Sequence, residues 1–344
     1  MGKKIKNKDI ASRLGVSSTL VSLVLNNKAD QHGIRKETQE RVLSVARQMG
    51  YFDSASEAGE VLPVEEKPGV IGMIVPSMTD PFIFEITPYL QKAFASIGIG
   101  FSMVSKDPDD ARFNRLVGAF KKFYSGLILV GDAADDYTVR SLRSTDYPFV
   151  LLEKTTRKLR LNTVSTDMVA GTQLMADHIA KMGYRNILIV SASERVKSDS
   201  GLIDSFKEAI KGKPEINKPL LTGITKKLGG DEMDFSQIEH YFRPPYRTDV
   251  LVVVHSEDVY PIMTALQKHK IRIPQDVALV SLEEGLGFDL IHPSVTALRK
   301  PLAAMALKVA NMVWSEVKNA GKGKYRRQVN MVPELVVGNS CGSM

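Results

Sequence analysis

The chain has 344 residues, 43% of them apolar and 25% charged, with a formal net charge of +7. That length exceeds one ordinary hydrophobic core and points to two or three domains of a globular protein. The single cysteine, Cys341, excludes an intrachain disulfide framework, and no apolar run has signal-peptide or membrane-spanning character, so the expectation is a cytoplasmic protein with no membrane partner.

The charge is uneven. Residues 1–50 carry ten lysines and arginines against four acids, whereas residues 51–70 carry five acids and one lysine. A basic head of this kind suits a polyanion, and nucleic acid is the natural partner to test for.

The head reads as three helices, about 7–14, 18–26 and 36–49. In "DIASRLGVSSTLVSLVLNN", Ala11 is small where two helices must cross, and Gly15 supplies a left-handed turn four residues later. Ser17 is a candidate N-cap, and Val16 and Val21 return to the core. This spacing is that of a helix-turn-helix, and equally that of an ordinary helical hairpin. In "KETQERVLSVARQM", Val42, Leu43, Val45, Ala46 and Met49 fall on one helical face. From residue 51 to 69 the periodicity is lost in an acidic stretch with glycine and proline, which reads as a linker.

Beyond it, short β-branched runs at 69–77, 99–105, 126–131 and 148–153 alternate with amphipathic segments, and the pattern resumes at 186–191, 220–224, 249–255 and 277–282. Their consecutive apolar residues suit strands covered on both faces, and strands separated by helical segments imply parallel sheets. The expected fold class is α/β, with two doubly wound lobes, a long helix at 301–318 containing Trp314, and one last strand at about 328–337. No nucleotide-binding glycine loop, metalloprotease motif or nucleophile elbow occurs, and the six histidines are scattered without metal-ligand spacing. No catalytic residue, metal or cofactor is therefore expected.

The residues of the head go further than their spacing. Ala11, Gly15, Val16, Ser17, Val21, Ser22, Val24, Leu25 and Asn26, followed by Thr38, Val42, Ala46, Gly50 and Tyr51, resemble the head of the LacI/GalR (lactose-repressor) family. In the body, "IGMIVPSMTDPFIFEI", "VSTDMVAGTQLMADHIAKMGYRNILIV", "IRIPQDVALVSL" and "HPSVTAL" resemble the same family, so the likeness covers nearly the whole chain. It implies a helix-turn-helix head at 1–50, a hinge at 51–69 and a periplasmic-binding-protein-like effector and dimerisation domain at 70–344. The two lobes of that domain would comprise 70–165 with 299–327, and 166–298 with 328–344.

The function so implied is a homodimeric DNA-binding transcriptional regulator, acting as a repressor under a small-molecule effector. Lys6, Ser17, Ser18, Thr19, Ser22, Asn26 and Lys28 are the candidate contacts to operator DNA. Asp80, Phe82, Glu153, Asp167, His255 and Glu283 are the candidate effector ligands. The alternative is a solute-binding receptor of the same lobed fold without DNA function; an enzyme on this scaffold ranks last for want of a catalytic cluster.

Three departures from the family pattern stand out. Leu20 and Leu23 replace its threonine and its base-reading arginine, leaving serine and threonine as the polar residues of the second helix. In the hinge, Asp53, Ala58 and Glu60 stand where the family has proline, arginine and a DNA-wedging leucine, and a carboxylate cannot act as an apolar wedge. In the cleft, Leu202 replaces a sugar-clamping arginine, His255 an asparagine and Glu283 an aspartate. The expectation is a carbohydrate-derived or other polar effector with a donor-rich or cationic group, bound without a guanidinium.

Overall fold

The computed structural model describes residues 6–25, 29, 32–49, 69–106, 109–154, 160–193, 195–197, 199–225, 233–319 and 327–342. Asn26, Lys28 and the hinge at 51–68 lie outside them. The chain divides into two compact units, Met1–Lys67 and Pro68–Met344.

The first unit holds α1 (Asn7–Leu14), α2 (Ser18–Leu25) and α3 (Lys36–Gln48). The backbone N–H of Lys6 donates to Asp9 at 2.7 Å as α1 opens, and the helix closes at Gly15, whose φ of +68° lets its N–H reach the Ala11 carbonyl. Ser17 Oγ accepts the Leu20 N–H at 3.1 Å and so caps α2. Helices this short do not persist alone in water. They are held by a shared core of Ile10, Ala11, Val21, Val24, Ala29, Val42 and Ala46, in which each fully buried valine or isoleucine contributes on the order of 2 kcal/mol.

The second unit begins with β1 (Val70–Val75), α4 (Pro81–Ala95), β2 (Gly100–Ser105), α5 (Asp110–Phe123), β3 (Gly126–Val130), α6 (Asp136–Arg143), β4 (Phe149–Leu152) and β5 (Thr163–Thr166). It continues with α7 (Met168–Lys181), β6 (Ile187–Ala192), α8 (Ser200–Lys211), β7 (Leu220–Ile224), β8 (Val250–Val253), α9 (Ser256–Lys268) and β9 (Ala278–Ser281). It ends with β10 (Thr296–Arg299), α10 (Leu302–Lys318), β11 (Gln328–Met331) and β12 (Glu334–Val336).

These strands form two sheets, ordered β11-β5-β4-β3-β1-β2 and β12-β10-β9-β8-β6-β7. Every pair is parallel except β10 with β12. Apolar clusters lie on both faces of each sheet, which is why β3 and β8 are buried along their whole length.

The end of the chain corrects the expected single strand at 328–337. β11 joins the first sheet beside β5, and only β12 belongs to the second. The break falls at Val332–Pro333, where proline offers no N–H to continue a ladder. The polar strand β5 and the short β10 also escaped the apolar pattern. The chain thus passes between the lobes three times: at Asp167, at Lys300–Pro301 and at Val332–Pro333. The first and third passages touch, with the Asp167 N–H donating to the Met331 carbonyl at 2.8 Å. Gly171 makes room beside them, since a Cβ there would stand 2.7 Å from the Pro333 ring.

Candidate functional site

Strands of the two sheets end toward each other, and the segments following β1, β3, β4, β6, β8 and β9 line a cleft of about 570 Å³. Its floor is a chain of ions. Asp199 Oδ1 lies 2.9 Å from His255 Nε2, and His255 Nδ1 lies 3.0 Å from Glu283 Oε2. Glu283 Oε1 then accepts from Lys300 Nζ at 3.2 Å, and the same ammonium pairs with Glu153 Oε2 at 3.5 Å. The chain therefore runs from the second lobe, through the passage at Lys300, to Glu153 at the end of β4 in the first. Lys300 Nζ also sits 4.8 Å from the centroid of the Phe82 ring.

Each link has a local cause. Parallel neighbours β8 and β9 deliver the residues just past their ends, His255 and Glu283, side by side. Asp199 precedes α8 and is held by the Ser191 hydroxyl at 2.7 Å. Glu153 adopts a left-handed backbone, φ +53°, a conformation that costs a non-glycine residue on the order of 1 kcal/mol. Thr166 holds it there, its N–H and hydroxyl donating to Glu153 Oε1 at 2.6 and 2.9 Å. Thr166 of β5 thus helps build the site, while the Ser165 hydroxyl bonds Asn330 of β11 at 2.9 Å, and these polar residues remove the apolar signature of a strand.

Burial alone would make the His255 imidazolium harder to form, but Glu283 and Asp199 outweigh it and raise its pKa to about 9. With a carboxylate at each ring nitrogen, the imidazolium donates both protons. Burial likewise opposes the charge on Glu283, yet Lys300 and His255 hold its carboxyl well below the usual range. Glu283 and Glu153 in turn raise Lys300 against the desolvation that would lower it. Glu85, half-buried on α4, shows the reverse balance: burial and the charge of Glu284 raise its pKa despite Lys300.

Of the residues expected to bind an effector, Asp80, Phe82, Glu153, His255 and Glu283 all line this cleft. Asp167 does not. Its carboxylate accepts the Ala170 N–H at 3.0 Å and caps α7 in the passage between lobes, so its acceptor is committed to the backbone. Leu202 packs against the second lobe's core, but the cleft still receives a guanidinium, from Arg195, which pairs with Glu257 and, at 2.6 Å, with Asp258. The expectation of a cleft without one is therefore corrected. Asp199 and Lys300 also went unrecognised in the sequence, whereas Glu85, at the start of α4, was legible there as a cleft residue. The only local signal was a charged residue just past a strand or before a helix.

In the head, Ser17 and Thr19 are exposed, as is Lys6, while Ser18 and Ser22 are half-buried on α2. Leu20 packs against the head's core, and Leu23 is half-buried. Among the described residues no group of histidines, cysteines and acids is arranged to hold a metal ion, and no helix is long and apolar enough to cross a membrane.

Two parallel-sheet lobes joined by three passages, with polar residues converging on the cleft between them, define a periplasmic-binding-protein-like body. Residues 176–341 match the periplasmic binding protein-like domain, and residues 7–54 match the bacterial regulatory proteins of the lacI family. The chain therefore carries a lacI-family regulatory head and a periplasmic binding protein-like domain, and it is similar to HTH-type transcriptional regulators along its length. It is 22% identical over 345 residues to the HTH-type transcriptional regulator DegA of Bacillus subtilis (strain 168), covering 98% of both chains. Its fold is similar to the lac repressor dimer bound to operator and the anti-inducer ONPF, with a TM-score of 0.73, 15% identity, and coverage of 99% and 100%. It is also similar to a LacI family transcriptional regulator from Enterococcus faecium with bound ribose, with a TM-score of 0.65, 17% identity, and coverage of 80% and 99%.

Proposed function

We propose that this protein is a cytoplasmic, homodimeric repressor whose grip on operator DNA is set by a small polar effector bound between its lobes. The head at 1–50 reads DNA through the polar face of α2, with Ser17, Ser18, Thr19 and Ser22 as contacts and Lys6, Asn26 and Lys28 beside it. The hinge at 51–69 joins it to the effector domain. The first lobe takes in 70–166 and 301–331, and the second 167–300 and 332–344. No catalytic role is proposed.

The observation that carries this reading is the ionic chain from Asp199 to Glu153, which ties one lobe to the other along the floor of the cleft. A ligand entering there alters contacts to both lobes at once. It therefore has different affinities for their possible arrangements, which is the requirement for shifting DNA affinity. The solved relatives that hold ribose or ONPF support a cleft ligand of that size.

The test starts with in vitro selection of a DNA site by the full-length protein, then fluorescence anisotropy on that site across a panel of polar metabolites. The expected result is nanomolar sequence-specific binding that one class of metabolite changes at least tenfold. Failure to select any site overturns DNA recognition, and an operator affinity that no ligand moves overturns effector control.

A further inference from the structure

We propose that the effector of this cleft carries a primary ammonium group, which is seated beside Glu85 next to the ammonium of Lys300. This rests on the reading of the cleft as an effector site and names its ligand class. Two observations carry it. The first is that the cleft already holds one ammonium in a built setting. Lys300 Nζ sits over the Phe82 ring and between the carboxylates of Glu153 and Glu283, a combination of π-face and paired acceptors that recognises an alkylammonium.

The second is that this cation does not balance the site. Eight lining residues are acidic, against Lys300, Arg195 and a protonated His255. Lys154 and Arg299 pair Asp132 and Glu284 from outside the lining, which still leaves a deficit of three positive charges among the described residues. Arg195 is moreover shared between Glu257 and the buried Asp258, so it offers no surplus. The shortfall is felt at Glu85, whose carboxyl is half-buried and repelled by Glu284 and Glu283, with Lys300 as its attractive neighbour. A positive charge placed there is stabilised by all three glutamates in a partly desolvated cleft, where Coulomb interactions are several times stronger than in water. A negative group in the same place meets that repulsion instead. A neutral one leaves it unrelieved.

The experiment is calorimetry at pH 6 on the full-length protein with glucosamine, glucose and N-acetylglucosamine, which share a ring and differ in charge at one substituent. Glucosamine is expected to bind at least tenfold more tightly than either neutral sugar. Glu85→Gln should remove most of that preference. Lys300→Met, which takes away the competing charge, should raise the ratio of glucosamine affinity to glucose affinity. Equal or tighter binding of glucose or N-acetylglucosamine by the wild type overturns the inference, as does failure of glucosamine to bind both the wild type and Lys300→Met. A neutral sugar that binds and also shifts operator affinity overturns this inference alone and leaves effector control standing.

Discussion

The carboxylate of Glu283 lies 3.0 Å from the imidazole of His255, a contact made because parallel strands β8 and β9 end side by side. On its far side the same imidazole meets Asp199 at 2.9 Å, so His255 is gripped as a cation between two acids. Removing one member of such a buried set strands the others without a partner, and this makes the trio a sensitive reporter of the cleft.

Its pH dependence has a definite sign. The folded pKa of His255, about 9, exceeds the unfolded value of 6.5. The stabilisation is therefore complete below pH 6.5 and lost as the pH rises through 9, for a total on the order of 3 kcal/mol. Thermal denaturation of wild type and His255→Gln from pH 6 to 10 should give curves that converge at alkaline pH. Parallel curves would show that His255 is not held as a cation.

Gly171 is expected to tolerate no side chain. In Gly171→Ala the new Cβ stands 2.7 Å from the Pro333 ring, which cannot swing aside, and the strain should cost about 1–3 kcal/mol. Gly201, on α8, has nothing within 4 Å of its Cβ position, so Gly201→Ala should be neutral or stabilising by up to about 1 kcal/mol. Urea unfolding midpoints of the two variants test the contrast; equal shifts would contradict the close packing at the passage.

In the head, the serines of α2 are expected to divide by role. Ser17→Ala deprives the Leu20 N–H of its cap and should cost about 1 kcal/mol of head stability. Thr19→Ala and Ser22→Ala should leave folding intact and weaken binding to a selected operator, by about 1–3 kcal/mol wherever the hydroxyl bonds to a base. Circular dichroism and anisotropy separate the two effects. Wild-type affinity in both Thr19→Ala and Ser22→Ala would remove α2 from the DNA interface.

Salt should weaken operator binding steeply. The head carries Lys3, Lys4, Lys6, Arg13, Lys28 and Arg35, and each phosphate neutralised contributes roughly −0.9 to the slope of log affinity against log salt. Anisotropy titrations between 50 and 300 mM salt are the measurement, and a flat plot would rule out docking dominated by phosphate contacts.

The acidic hinge predicts little bending. Glu57 and Glu60 repel the phosphate-lined minor groove, so Glu60→Ala should bind operator as well as wild type or better. Circular-permutation gels should show at most a shallow bend. A large central kink, or loss of binding in Glu60→Ala, would contradict this view of the hinge.

The sequence alone determined the elements that short-range physics controls. Gly15 and Ser17 punctuate α1 and α2, and the eight apolar runs mark strands because a strand covered on both faces favours consecutive apolar residues. Five cleft residues were also legible, since a side chain just past the end of a parallel strand faces the crevice in any such fold. The tertiary structure decided what no local pattern encodes. Asp167 caps α7, and Arg195 rather than residue 202 brings a guanidinium to the cleft. β5 was hidden by its hydroxyl residues, of which Thr166 holds Glu153. Lys300 became the joint between the lobes only because a passage of chain brings it to Glu283, near in sequence, and to Glu153, nearly 150 residues away. Ion pairing depends on distances of a few ångströms across the cleft, and those distances exist only once both sheets have formed and the chain has crossed between them.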